Sequence, residues 1–218
     1  MSSSSNQLQS LIGISPSSSK LSDFLAGLSD DKVVPDPEVK SYPDAVYFNY
    51  YALGISLLFS PQKGYKPKMG LKYTELETQK LVLDSLDVYN VPKPADAAKA
   101  GKTGSSRSEL AFTTFPATPL ALTLASVQDK DGKDIDRPES LSISTASTGK
   151  ELVSILGEPD RKGGGAGPSS GSIGIWCEWS KDGLMIEFGG DDARGPGAWE
   201  RGKDAVWKVI TLFQPKNP

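Results

Sequence analysis

Residues 45–61 (AVYFNYYALGISLLFSP) overlay residues 174–190 (GIWCEWSKDGLMIEFGG) without a gap. Val46 falls on Ile175, Tyr47 on Trp176, Phe48 on Cys177 and Tyr50 on Trp179. Past the shared glycines Gly54 and Gly183, Ile55 falls on Leu184, Leu57 on Ile186 and Phe59 on Phe188. Only the glycine and the last phenylalanine are identical, so what recurs is a pattern. Apolar side chains at alternate positions have the period of a strand, whose successive side chains point to opposite faces. A glycine between two such runs reads as a hairpin. A chain that states one unit twice is constrained in architecture before any motif is considered.

The flanks repeat in the same order. Leu21, Phe24, Leu25 and Leu28 have the spacing of a helix stripe ahead of the first hairpin. Between them, VVPDPEVKSYP carries three prolines and excludes regular helix. A third strand is expected within Leu81–Asn90. Ahead of the second hairpin, Thr148 and Glu151 form a capping box, Leu152, Ile155 and Leu156 form the stripe, and Gly157 with Pro159 ends the helix. Ile173, Ile175, Cys177 and Trp179 alternate, Asp182-Gly183 turns, and Val206–Phe213 supplies the last strand. Residues 92–108 read as a linker. Short strands are expected in the apolar runs Leu110–Phe115, Leu120–Val127 and Leu141–Ile143, interrupted by Pro116 and Pro119. The expected fold is α+β with two related units, each a short helix packed on a three- to four-stranded antiparallel sheet. The units cover 19–91 and 109–218, behind a disordered Ser-rich tail at 1–18.

Composition limits the chemistry. The 218 residues are 37% hydrophobic and 23% charged, with net charge -3, which suits a globular chain without a basic stripe for nucleic acid. No apolar run reaches the ~20 residues that a membrane helix needs. The chain has no histidine, so Ser-His-Asp triads, Cys-His pairs and His-ligated zinc are excluded. The single Cys177 cannot form an internal disulfide, and the serine-rich start has no charged n-region before an apolar stretch. These features lead to an expected cytoplasmic or nuclear location. No cofactor and no metal site are expected.

The second unit, TGKELVSILGEPDRK followed by IWCEWSKDGLMIEF and VWKVITLF, resembles the modules of the BamE (SmpA/OmlA) family and the beta-lactamase inhibitory protein type. The resemblance covers about 148–213, and 20–90 more loosely. It rests on Leu156, Gly157, Pro159 and Asp160 in the turn after the helix. In the hairpin it rests on Trp176, Trp179, Gly183, Leu184, Ile186 and Phe188. It implies tandem helix-plus-sheet modules that bind other proteins, and it implies binding rather than catalysis.

Two regions stand out as candidate surfaces. Tyr47, Asn49 and Tyr51 in the first hairpin, and Trp176, Glu178 and Met185 in the second, lie opposite the apolar stripes, where Tyr and Trp suit binding. The loop GGDDARGPGAWERGK carries Asp191, Asp192, Arg194, Trp199, Glu200 and Arg201 in a length that needs far less chemistry. The expected function is therefore non-catalytic protein binding or scaffolding through Tyr47, Tyr51, Trp176 and Glu178 together with Asp191, Arg194, Trp199 and Arg201. A small-molecule or glycan binder is the first alternative. The second is a carboxylate-dependent hydrolase using Glu178, Glu187 or Asp191.

Other motifs read as structure. Gly101-Lys102-Thr103 imitates the end of a P-loop, but Asp96 stands where the first glycine is required. Asp129, Asp131, Asp134 and Asp136 resemble a calcium loop whose glycine, Gly132, is misplaced. Arg161–Gly165 sits past a helix C-terminus, the wrong end for phosphate, and reads as a flexible insertion. Cys177 reads as a buried apolar side chain.

Overall fold

In the computed structural model, residues 7–91, 111–128, 132–165 and 174–216 are described. The linker at 92–108, Gly101–Thr103, Leu110, Asp129, Asp131 and Ile173 lie outside them. Helix α1 (Ser19–Leu28) is followed by strands β1 (Glu38–Ser41), β2 (Val46–Tyr50), β3 (Ile55–Pro61) and β4 (Leu81–Tyr89). Strands β5 (Leu120–Thr123) and β6 (Ser140–Ile143) precede helix α2 (Gly149–Leu156). Strands β7 (Arg161–Gly163), β8 (Trp176–Trp179) and β9 (Leu184–Phe188), the single-turn helix α3 (Ala198–Arg201) and strand β10 (Trp207–Phe213) follow.

The fold is mixed α and β, dominated by one antiparallel sheet of eight strands in the order β1-β2-β3-β4-β10-β9-β8-β7. β5 and β6 pair separately. The expectation of a separate three- to four-stranded sheet in each half is corrected by one join. β4 pairs with β10, setting Leu86 against Leu212 and Val88 against Ile210. The join removes two free edges whose unpaired amides would otherwise face water.

One transverse row shows how the core forms. Phe48, Leu57, Leu86, Leu212, Leu184 and Trp179 are successive cross-strand neighbours, and all are buried. Each such side chain contributes ~1.5–3 kcal/mol on leaving water. Leu21 and Leu25 of α1, Leu152 and Leu156 of α2, and Leu120, Leu122, Leu141 and Ile143 of the small sheet join the same core. Helices α1 and α2 and the β5–β6 pair therefore cover one face of the large sheet, and the other face points away from them.

α2 starts as its sequence dictates. Thr148 Oγ1 accepts from Glu151 N at 3.4 Å, and Glu151 Oε2 accepts from Thr148 N at 2.9 Å. The following Gly-x-Pro-Asp turn is tied to the hairpin: Trp179 Nε1 donates to the Gly157 carbonyl at 3.0 Å, and Asp160 Oδ2 accepts from Ser180 N at 2.7 Å.

Both hairpins turn through a short 3-10 segment, Tyr51–Leu53 or Ser180–Asp182, closed by a left-handed glycine. Gly54 has φ 59° and ψ 33°; Gly183 has φ 62° and ψ 40°. β4 and β10 each carry a bulge at the same step, where the third strand passes Phe59 or Phe188.

Four segments differ from expectation. Residues 7–18 are not tail-like: Leu8 and Leu11 are buried, and Gly13 and Ile14 exchange backbone hydrogen bonds with Leu83. The two leucines supply apolar area that their serine-rich surroundings obscure. The proline-rich stretch contains β1, an edge strand, where Pro35 and Pro37 lie outside the ladder. Arg161–Gly163 is the opposite edge strand rather than a flexible insertion. Within 111–115 no strand forms, and the run from Leu120 yields only Leu120–Thr123.

Candidate functional site

The face turned away from the helices can be read from the register. Glu38, Asn49, Ser56 and Asp87 are successive neighbours across β1–β4. The row continues through Thr211, Met185, Glu178 and Arg161 across β10–β7. It is polar apart from Met185, in contrast to the apolar row behind it, and its groups bond along the row. Ser56 Oγ donates to Asn49 Oδ1 at 2.8 Å, and Thr211 Oγ1 donates to Asp87 Oδ1 at 2.7 Å. Glu178 accepts from Arg161 Nη1 at 3.2 Å and from Ser180 Oγ at 2.8 Å.

On the β1–β4 side this face opens into a hollow of about 470 Å³. Its floor is Asn49, Ser56 and Asp87. Tyr47, Tyr51, Tyr89 and Phe112 line it, and Lys40, Tyr42 and Asp44 stand at the rim. Tyr89 and Phe112 stack with ring centroids 3.8 Å apart and planes 7° from parallel, and Tyr51 meets Phe112 at 4.6 Å. Tyr42 stands edge-on to Tyr47 at 6.2 Å. The Tyr51 hydroxyl donates to Glu38 Oε2.

Burial, and then the nearby charge of Asp87, raise the Tyr47 phenol above its usual range. Burial followed by the Glu38 hydrogen bond raises Tyr51. The Asp87 carboxyl is pushed up to about 6 by burial, against the Thr211 hydrogen bond that lowers it.

At the other end of the face, Trp176 lies over β7. A side chain on Gly163 would meet its ring at 2.7 Å, and the Arg161 guanidinium sits 5.9 Å from the ring centre. Trp176 thus spends one side of its indole on the neighbouring edge strand. Glu187 accepts from Lys208 Nζ at 3.3 Å and from Gly174 N at 3.3 Å.

The expected site residues divide between the two sides of the sheet. Tyr47, Tyr51, Trp176 and Glu178 share the outward face. Asp191, Arg194, Trp199 and Arg201 do not join them. Ala193 and Ala198 anchor that loop in the core, and Lys162 Nζ stands 5.9 Å from the Trp199 ring. Lys162 pairs with buried Cys177, on the helix side of the sheet. Arg201 holds the loop together: Nη1 donates to the Pro196 carbonyl at 2.6 Å, Nη2 to the Arg194 carbonyl at 2.8 Å, and Nε lies 3.6 Å from Asp192. Asp191 and Asp192 converge on no third metal-ligating group among the described residues.

Sequence reasoning missed Asp87, Ser56, Tyr89 and Phe112. Asp87 carried a signal: in LVLDSLDVY it is a carboxylate at a position that alternation places on the outward face. Phe112 carried none, because its place over Tyr89 depends on the path of the chain after residue 91. Comparison with known proteins gave no match to a family model, a curated protein or a solved structure.

Proposed function

We propose that the chain is a non-catalytic protein-binding module of two related helix-plus-sheet units, and that the outward face of the eight-stranded sheet is its docking surface. The observation that carries this reading is the state of that face. It holds half-buried Tyr47, Tyr51 and Trp176, and no described helix or strand packs across it. Aromatic side chains with one side free are the usual anchors of protein interfaces.

The two-unit reading is supported by the strand order, by the paired turns at Gly54 and Gly183, and by the matched bulges. It is also supported by equivalent bonds, Tyr89 N to Gly54 O at 3.0 Å and Phe213 N to Gly183 O at 2.9 Å. The resemblance to BamE-like modules points the same way. The loop at 189–203 is left out of the surface because it lies on the helix side of the sheet, where Ala193 and Ala198 enter the core and Arg201 donates to the Pro196 and Arg194 carbonyls. Hydrolysis is less well supported, since Glu178 and Glu187 each face a cation.

The test is site-specific photo-crosslinking in cells, with p-benzoylphenylalanine in place of Tyr47, Trp176 or Trp199. Defined adducts from Tyr47 and Trp176, and none from Trp199, are expected. Adducts from Trp199 alone would sink the assignment. A small-molecule or glycan binder is a second reading favoured by the hollow. A thermal shift with free saccharides, in a chain that yields no adduct, would favour it.

A further inference from the structure

We infer that the hollow between β1 and β4 is a seat for an alkylammonium group, presented as a lysine side chain by the partner that docks on the outward face. The inference rests on the protein-binding reading above and specifies which feature of the partner that site would recognise.

Charge matching is the first argument. Buried and half-buried carboxylates are normally paired, because an ion removed from water is costly. On this face Glu178 has Arg161 at 3.2 Å and Glu187 has Lys208 at 3.3 Å. Asp87 forms no such pair with any described lysine or arginine. It has the Thr211 hydroxyl, and the charge that acts on it, that of Glu187, is of the same sign. The lining cation Lys40 lies 3.7 Å from Glu38 and beside the Tyr51 hydroxyl, and forms no pair with Asp87. A carboxylate at the floor of an open hollow, with a hydroxyl but no cation beside it among the described residues, is complementary to a cation from outside.

The walls are the second argument. Tyr47, Tyr51, Tyr89 and Phe112 offer aromatic rings around that floor. An ammonium group is attracted to the faces of such rings, more strongly where water is excluded. The slim methylene stem of a lysine would lie against the rings while its head meets Asp87. An acidic side chain would meet Asp87 and Asp44 with like charge, and a neutral apolar one would leave the Asp87 charge unmatched.

The probe is n-butylammonium, titrated against the full chain while the ring resonances of Tyr47, Tyr51 and Tyr89 are followed by NMR. N-butylacetamide, of similar stem but uncharged, is the control. Butylammonium should shift those resonances saturably, and the amide should not. Asp87→Asn keeps an acceptor for Thr211 and should weaken butylammonium binding on the order of tenfold. Tyr47→Leu should weaken it as well, and Lys150→Ala should not. Equal binding of amine and amide, or an unchanged affinity in a folded Asp87→Asn protein, overturns the inference. If adducts form from Tyr47 while the amine shows no preference, the docking face stands and the lysine seat falls. Amine binding without any adduct sinks the partner lysine, leaving only an amine-binding hollow.

Discussion

Arg137 and Asp182 meet through two hydrogen bonds, Nη2 to Oδ1 at 2.7 Å and Nη1 to Oδ2 at 2.9 Å, with both side chains buried. Asp182 also accepts from Ala125 N at 2.8 Å, and Arg137 donates to the Ala125 carbonyl at 2.6 Å. The pair pins the turn of the β8–β9 hairpin to the segment joining β5 and β6.

Removing one partner strands a buried charge. Arg137→Met should cost about 3–5 kcal/mol, read from urea unfolding. The double change Arg137→Met with Asp182→Leu should recover part of that loss, because two apolar side chains leave no ion behind. A single variant within 1 kcal/mol of the parent would show the pair to be dispensable.

The hairpin glycines make a paired test. Both hold positive φ, and a side chain on either would press against a backbone carbonyl, that of Thr113 at Gly54 and that of Phe213 at Gly183. Gly54→Ala and Gly183→Ala should each lose at least ~1–3 kcal/mol. Gly64→Ala, with positive φ but open space around it, should lose less. Thermal unfolding of the three variants ranks them.

Asp87 gives a pH dependence with a definite sign. Its folded carboxyl titrates near 6 against an ordinary 3.8. The folded chain therefore holds that proton more tightly than the unfolded chain. The contribution of this group to stability is greatest below pH 4, declines through the window from 4 to 6, and is a penalty above it. Asp87→Asn removes the penalty, so it should stabilise the protein at pH 7.5 by roughly 1–2 kcal/mol after solvent screening. The advantage should shrink toward pH 4. A variant that is destabilised equally at both pH values contradicts this.

Cys177 is 4% exposed, and burial pushes its thiol up to about 11. At pH 8 it should resist Ellman's reagent in the native protein and release one equivalent on denaturation. Rapid reaction without denaturant would mean that β8 opens readily.

Sequence and structure agree where the information is local. The hairpin at Gly183, the cap at Thr148 and the strand begun at Leu81 were legible because period, turn residue and capping chemistry lie within a few positions of one another. The joining of β4 to β10 was not legible, because alternation reports which face a side chain takes and not which strand lies beside it. β1 was hidden by prolines that an edge strand tolerates. For the candidate site, alternation placed Tyr47 and Trp176 on one face, but composition could not show on which side of the sheet Trp199 lies. Loop composition does not reveal that Arg201 is occupied with carbonyls of its own loop. Asp87 became visible as a site residue only when the register set it against Thr211, with no described lysine or arginine paired to it.

The most direct measurement of the central claim is hydroxyl-radical footprinting of the chain, purified alone and in complexes recovered from native extract. The account expects Tyr47, Tyr51 and Trp176 to be oxidised in the free chain and protected in the complex, with Trp199 equally reactive in both. Protection of Trp199 with Tyr47 and Trp176 unchanged would contradict it and place the working surface on the helix side of the sheet.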